Sequence, residues 1–209
     1  MWKLFFATGT VALATHIALE EAGAAYEAVR LDFGNGAQRS AEYLAVNPKG
    51  RVPALVTETG TLTETPALLL FVAQSFPGAE LAPLNDPFAL ARAQEFNSYL
   101  CSTVHVNHAH RMRGTRWADE PQAIEAMKRK VTANVTDCFE LIQNSMFKGP
   151  WVMGERYTIC DPYLFTLGTW LEGDGVDTKR LPAIMEHSAR MLARPAVQKA
   201  VATQGTQIG

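Results

Sequence analysis

Asn47-Pro48-Lys49-Gly50-Arg51-Val52-Pro53-Ala54-Leu55, followed shortly by Thr63-Glu64-Thr65-Pro66, is the stretch that decides the fold. A turn signal leads into a short apolar run that carries a proline, where a central strand should have none. Pro53 removes a ladder donor and biases Val52 toward extended geometry. A turn with a cis Val52–Pro53 bond reconciles the two, leaving the Val52 backbone free to pair with something outside the sheet. Thr61-Leu62-Thr63 then alternates like a strand, and Thr65-Pro66 reads as a helix cap followed by proline at the first helical position. Such a helix start presents unpaired N–H groups and a positive dipole end beside the acidic Glu64. The combination suits an amino-acid-like ligand, with N–H groups for its carboxylate and Glu64 for its ammonium. The plainer reading is a solvated glutamate beside an ordinary cap.

Outward from there the pattern is of two kinds. Before it, Trp2 to Phe6 predicts a buried strand, Val11 to Ala22 a helix ending at Gly23, and Tyr26 to Asp32 a second strand. A short helix over Ser40 to Val46 and one from Pro66 to about Phe76 complete a compact α/β unit. Pro77-Gly78-Ala79-Glu80-Leu81-Ala82-Pro83 is rich in breakers and reads as a linker. After it everything is helical in pattern. Long amphipathic helices are predicted over Phe88 to about Arg116 and Pro121 to about Phe147, the latter with apolar spacing at Ile124, Met127, Val131, Val135, Phe139 and Ile142. Thr158-Ile159-Cys160-Asp161 is a capping-box pattern opening a helix to about Leu171. Shorter helices follow over about Pro182 to Leu192 and Pro195 to Ala202, then a polar tail.

Composition sets bounds on function. A chain of 209 residues with 47% hydrophobic and 19% charged residues has the makeup of a globular protein with a substantial core. Its net charge of −2 gives no reason to propose nucleic acid or an anionic membrane as partner. No apolar run approaches membrane-spanning length, and Met1 to Phe6 is too short for a signal peptide. Cys101, Cys138 and Cys160 are scattered and odd in number, which argues against a disulfide framework and favours a reducing, cytoplasmic setting.

With the segments His16-Ile-Ala-Leu-Glu-Glu-Ala-Gly-Ala-Ala-Tyr-Glu27 and Gly154-Glu-Arg-Tyr-Thr-Ile-Cys-Asp-Pro-Tyr-Leu-Phe165, the stretch quoted first resembles the glutathione S-transferase family, most closely its bacterial beta class. The three segments cover most of the chain in the family's order. The resemblance implies an α/β plus all-α architecture: a thioredoxin-like glutathione-binding domain over 1–78, then a helical bundle domain over 86–209 that supplies a hydrophobic substrate site. It also implies glutathione as co-substrate, a small apolar electrophile as second substrate, and a homodimer. Glu64 and Thr65 match the residues that hold the γ-glutamyl end of glutathione, with Val52, before Pro53, pairing through its backbone with the cysteinyl part. Arg51 stands where related classes place a lysine near the glycine carboxylate, or is a plain surface arginine.

The catalytic loop departs from the family. Val11 falls where the beta class carries its cysteine, and valine can neither donate a hydrogen bond nor act as nucleophile. Thr10 is the nearest hydroxyl, and either donates to the glutathione sulfur or merely caps the helix. His105 matches a beta-class histidine facing the active site. His105 and His108 lie one turn apart, but no acidic residue accompanies them at close helical spacing, so no metal is expected. Arg111, Arg113 and Arg116 read as a solvated basic face that could also attract an anion. Cys101, Trp117, Trp151 and Trp170 read as core residues. The expected activity is attack of glutathione thiolate on the electrophile. The alternatives are a weakly catalytic or non-catalytic binding module, or another glutathione-dependent enzyme such as a reductase, peroxidase or isomerase.

Overall fold

The computed structural model describes residues 1–206. Four strands, β1 (Trp2–Phe6), β2 (Tyr26–Arg30), β3 (Ala54–Thr57) and β4 (Gly60–Thr63), form one sheet in the order β2-β1-β3-β4. β1 runs parallel to β2 and antiparallel to β3, and β3 pairs antiparallel with β4. Leu4, Phe6, Ala54 and Leu55 are buried, so the two central strands supply the apolar floor. Together with α1 (Ala12–Glu21), α2 (Ala41–Val46) and α3 (Thr65–Ser75) they make the thioredoxin-like half.

α1 explains how that half is joined to the rest. Every residue from Ala12 to Leu19 is buried, because the helix packs against α3 on one side and against α7 (Cys160–Gly168) and α9 (Pro195–Gln204) on the other. A helix buried all round needs no polar stripe, and Ala12, Ala14 and Ala18 let its neighbours approach closely. At its C-terminal end Glu21 takes two hydrogen bonds from Arg194, at 2.5 and 2.8 Å, and Glu20 pairs with Lys199 at 2.8 Å. The Arg194 guanidinium also lies 4.1 Å from the Tyr157 ring centroid.

The helical half holds two long rods. The first is α4 (Pro87–Tyr99), a π-helical turn over Leu100–Val104, and α5 (His105–Arg113), finished by a 3₁₀ turn over Gly114–Arg116. The π turn inserts one extra residue into the ladder and so re-aims the side chains that follow it, starting with His105. The second rod is α6 (Pro121–Leu141), which buries Val131, Val135 and Phe139, with Ile142 just beyond it in another π turn. Gly114 is required where the rods meet: a Cβ there would lie 2.8 Å from Ile124 Cγ2. The reciprocal bonds of the expected capping box form at Thr158, one residue ahead of Ile159, which holds the cap position of α7. Asp161, fully buried, accepts from Thr158 N at 2.7 Å, while Thr158 Oγ1 accepts from Cys160 N at 3.3 Å. Asp161 also accepts from Val152 N at 2.8 Å and meets His187 Nε2 at 3.0 Å, which ties α7 to α8 (Pro182–Leu192).

Three expectations are corrected. Thr65 is not the cap of α3 but its first residue, and the cap position belongs to Glu64, held at φ 71°, ψ 117°. A left-handed residue there turns the chain sharply out of β4, so the helix starts one residue earlier than Pro66 signals. α7 stops at Gly168 rather than near Leu171, where looser turns take over. The polar tail expected after Ala202 is helical to Gln204, and residues 207–209 lie outside the described residues.

Candidate functional site

The loop ahead of β3 is built from its own side chains. Asn47, 1% exposed, donates from Nδ2 to Arg51 O at 2.6 Å and accepts from Lys49 N at 3.1 Å. The Tyr43 hydroxyl donates to the same Arg51 carbonyl at 2.6 Å. Gly50 sits at φ 60° with the Gln38 carbonyl against it, where a Cβ would come within 2.9 Å. The chain then enters Val52–Pro53 through a cis bond, as expected. Among the described residues nothing hydrogen-bonds to the Val52 N–H or C=O, so its main chain is held in place with its polar groups open.

A cleft of about 510 Å³ runs between this loop and the α4–α5 rod. It is lined by Thr10, Arg51, Val52, Pro53, Glu64, Thr65 and His105, so all the residues singled out in the sequence are brought to one place. Thr10 and Val11 reach it from the start of α1, an end that no side chain caps. The Thr10 hydroxyl donates to Ala7 O at 2.7 Å, so donation to a ligand requires it to turn away from that carbonyl. Val11, 7% exposed, is packed with the core and offers no polar atom. Glu64 Oε1 meets Lys49 Nζ at 2.5 Å, and the same ammonium donates to Thr63 Oγ1 at 2.8 Å. Both members of the ion pair are about half exposed, so a ligand ammonium can compete for the carboxylate.

The helical wall is aromatic and basic. His105 is lowered to about 4, first by burial and then by His108, Arg116 and Arg51, so its imidazole is neutral at neutral pH. Its ring lies 5.2 Å from Trp170, and His108 stacks on the same indole at 4.1 Å. His108 Nδ1 is committed to the buried Asp174 at 2.7 Å, a carboxylate that Arg111 also approaches at 3.4 Å.

Several lining residues escaped the sequence reading. Trp170 and Trp117, expected in the core, face the cleft, and Trp117 is 46% exposed. Cys101 lines it too, half-buried beside Tyr163, and burial raises its thiol above the ordinary value. Arg39 comes from the 3₁₀ turn before α2. No local pattern marks these positions, because the α5 register depends on the π turn and Arg39 lies in a loop. The arginines after His110 form a basic cluster in the sequence, for which a solvated face is the simpler reading.

A model of the glutathione S-transferase N-terminal domain matches residues 2–74. The chain is 32% identical over 206 residues to a protein named glutathione S-transferase GstA from Escherichia coli O157:H7, covering 97% of this chain and 98% of that one. Among solved structures it superposes with TM-score 0.94 and 45% identity on a glutathione transferase homologue from Sulfitobacter with bound glutathione, over 98% of each chain. A bacterial beta-class glutathione S-transferase from Sphingomonas chungbukensis gives TM-score 0.85 at 32% identity, over 97% of this chain and 98% of that one.

Proposed function

The chain belongs to the glutathione S-transferase family, and we propose that it binds glutathione in the cleft beside Val52 and transfers its thiolate to a small apolar electrophile. One observation carries the reading: the open Val52 main chain, the Glu64–Thr65 corner and the uncapped start of α1 line a single cleft. In this reading Glu64 takes the γ-glutamyl ammonium in competition with Lys49, and Thr65 at the head of α3 takes the adjacent carboxylate. Val52 pairs with the cysteinyl backbone, Pro53 shapes that edge, and Arg51 faces the glycine carboxylate. The thiol then lies toward Thr10 and the α1 N-terminus, whose N–H groups and dipole favour the thiolate. The sulfur lone pair forms a bond to the electrophilic carbon, and the displaced pair leaves with the leaving group. Neutral His105 borders the same space. A homodimer belongs to the proposal by family analogy alone.

A second reading, a glutathione-binding module with weak or no transfer, is favoured by Val11 in the core and by the Thr10 hydroxyl engaged with Ala7. A mixed-disulfide reductase is disfavoured, because the cleft's cysteine, Cys101, has a thiol raised by burial. Calorimetry with glutathione, followed by conjugation assays with a chloronitroaromatic electrophile, separates these. Binding with turnover supports the transferase, binding without turnover across a broad electrophile panel supports the module, and absence of binding removes both.

A further inference from the structure

Four arginines converge on one end of the cleft. Arg39 and Arg51 come from loops of the sheet half, and Arg113 and Arg116 from the end of α5. Among the described residues, none of the four forms an ion pair. Neighbouring cations differ, since Lys49 is paired with Glu64 and Arg111 with Asp174. The four feel one another: Arg116 is lowered from its ordinary value by burial and then by Arg51, Arg113 and Arg39. Glu64 is the single acidic side chain among the lining residues, and it is already engaged. Like charges gathered in a cleft without counter-charge repel, and an anion placed among them relieves the repulsion.

Glutathione, bound as proposed above, brings one carboxylate to this end, that of its glycine. Its other carboxylate lies with its own ammonium at Glu64 and Thr65. One carboxylate facing Arg51 and Arg39 leaves the two arginines on the helical wall unmatched. Beside them stand exposed apolar side chains, Met112 at 74% and Trp117 at 46%. The segment that carries these residues is anchored, because Gly114 packs under Ile124 and its carbonyl accepts from Trp117 N at 2.9 Å. We propose that the second substrate is a carboxylate-bearing aromatic electrophile. Its carboxylate pairs with Arg113 and Arg116, and its ring packs on Trp117 and Met112. This inference rests on the glutathione reading and revises its second substrate from a wholly apolar electrophile to one with an apolar ring and an anionic group.

The test uses two conjugates with the same aromatic body, S-benzylglutathione and S-(4-carboxybenzyl)glutathione, titrated calorimetrically at low salt. The natural protein should bind the carboxylated conjugate about tenfold more tightly, the low end for a charge-assisted contact at partly exposed arginines. In the doubly substituted Arg113→Gln, Arg116→Gln protein that ratio should fall to about one, and in the natural protein it should shrink as salt is raised. Equal affinities in the natural protein overturn the inference while leaving the glutathione reading standing. A ratio unchanged by the double substitution also overturns it, since both conjugates weakening alike assigns the pair to glutathione itself. Failure of both conjugates to bind removes the glutathione reading and this inference with it, and failure of the carboxylated conjugate alone overturns this inference.

Discussion

Glu64 does two things that substitution can pull apart. In the proposed binding mode its carboxylate takes the γ-glutamyl ammonium, and its backbone holds the left-handed corner at φ 71° that starts α3. Without ligand the carboxylate pairs with Lys49 at 2.5 Å, with the two side chains 58% and 48% exposed, and such a pair contributes about 0–1 kcal/mol. A charge-assisted hydrogen bond to the ligand ammonium contributes about 1.5–3 kcal/mol. The net loss in Glu64→Ala is therefore about 0.5–3 kcal/mol, or roughly twofold to hundredfold weaker glutathione binding. Glu64→Gly should weaken binding by the same factor but differ in stability. Relief of the corner recovers about 1–3 kcal/mol of strain, against about 0.4–1 kcal/mol of added unfolded-state entropy. The glycine variant should thus exceed the alanine variant by about 1 kcal/mol, or roughly 2–4 °C in Tm. Calorimetry and thermal unfolding on the three proteins measure both effects. Natural affinity in Glu64→Ala refutes the carboxylate's role, and a glycine variant less stable than the alanine variant refutes the strain.

Three further outcomes are expected. Thr10→Val should lower turnover near neutral pH while glutathione affinity changes little, as steady-state kinetics beside calorimetry would report. Unchanged kinetics would leave the hydroxyl on Ala7 O and the α1 N–H groups with the sulfur. Thr158→Ala should cost about 0.5–2 kcal/mol through loss of the cap, and Asp161→Ala about 3–5 kcal/mol because it orphans buried donors from Thr158, Val152 and His187. Urea midpoints that rank the two the other way contradict the capping-box account. The buried His16 is lowered to about 4, chiefly by burial, so the unfolded chain takes its proton first as pH falls. Stability should accordingly be full above about pH 6.5 and fall as pH drops toward 4, by on the order of 3 kcal/mol from this residue. His16→Leu should flatten that dependence, and identical pH profiles of unfolding midpoint would exclude the assignment.

Much of this was legible locally. The Asn47–Leu55 stretch encodes its own turn, and the structure shows the asparagine, glycine and proline acting where their side-chain and backbone preferences demand. The Thr158–Asp161 box, the breaker-rich stretch from Pro77 and the apolar stripe of α6 are likewise short-range signals. What escaped depends on distant parts of the chain. α1 has no amphipathic period because three helices surround it, so its central position follows only from assembly. The π turn at Leu100–Val104 looks like plain helix in sequence, yet it sets which faces of His105, His108 and the following arginines reach the cleft. Trp170 reads as a core residue in sequence because no local pattern tells an indole lining a cleft from one filling a core. The departure at Val11 is plain in the sequence, whereas the engagement of the Thr10 hydroxyl with Ala7 O and the uncapped start of α1 appear only in the fold.

The most direct test of the account is the ultraviolet thiolate absorbance of glutathione bound to the natural protein, followed against pH. The α1 N-terminus with Thr10 beside it predicts that the bound thiol titrates below its free value of about 8.5, with thiolate present at neutrality. Bound glutathione that titrates at its free value, with no thiolate signal near pH 7, would contradict the transferase reading and leave a binding module.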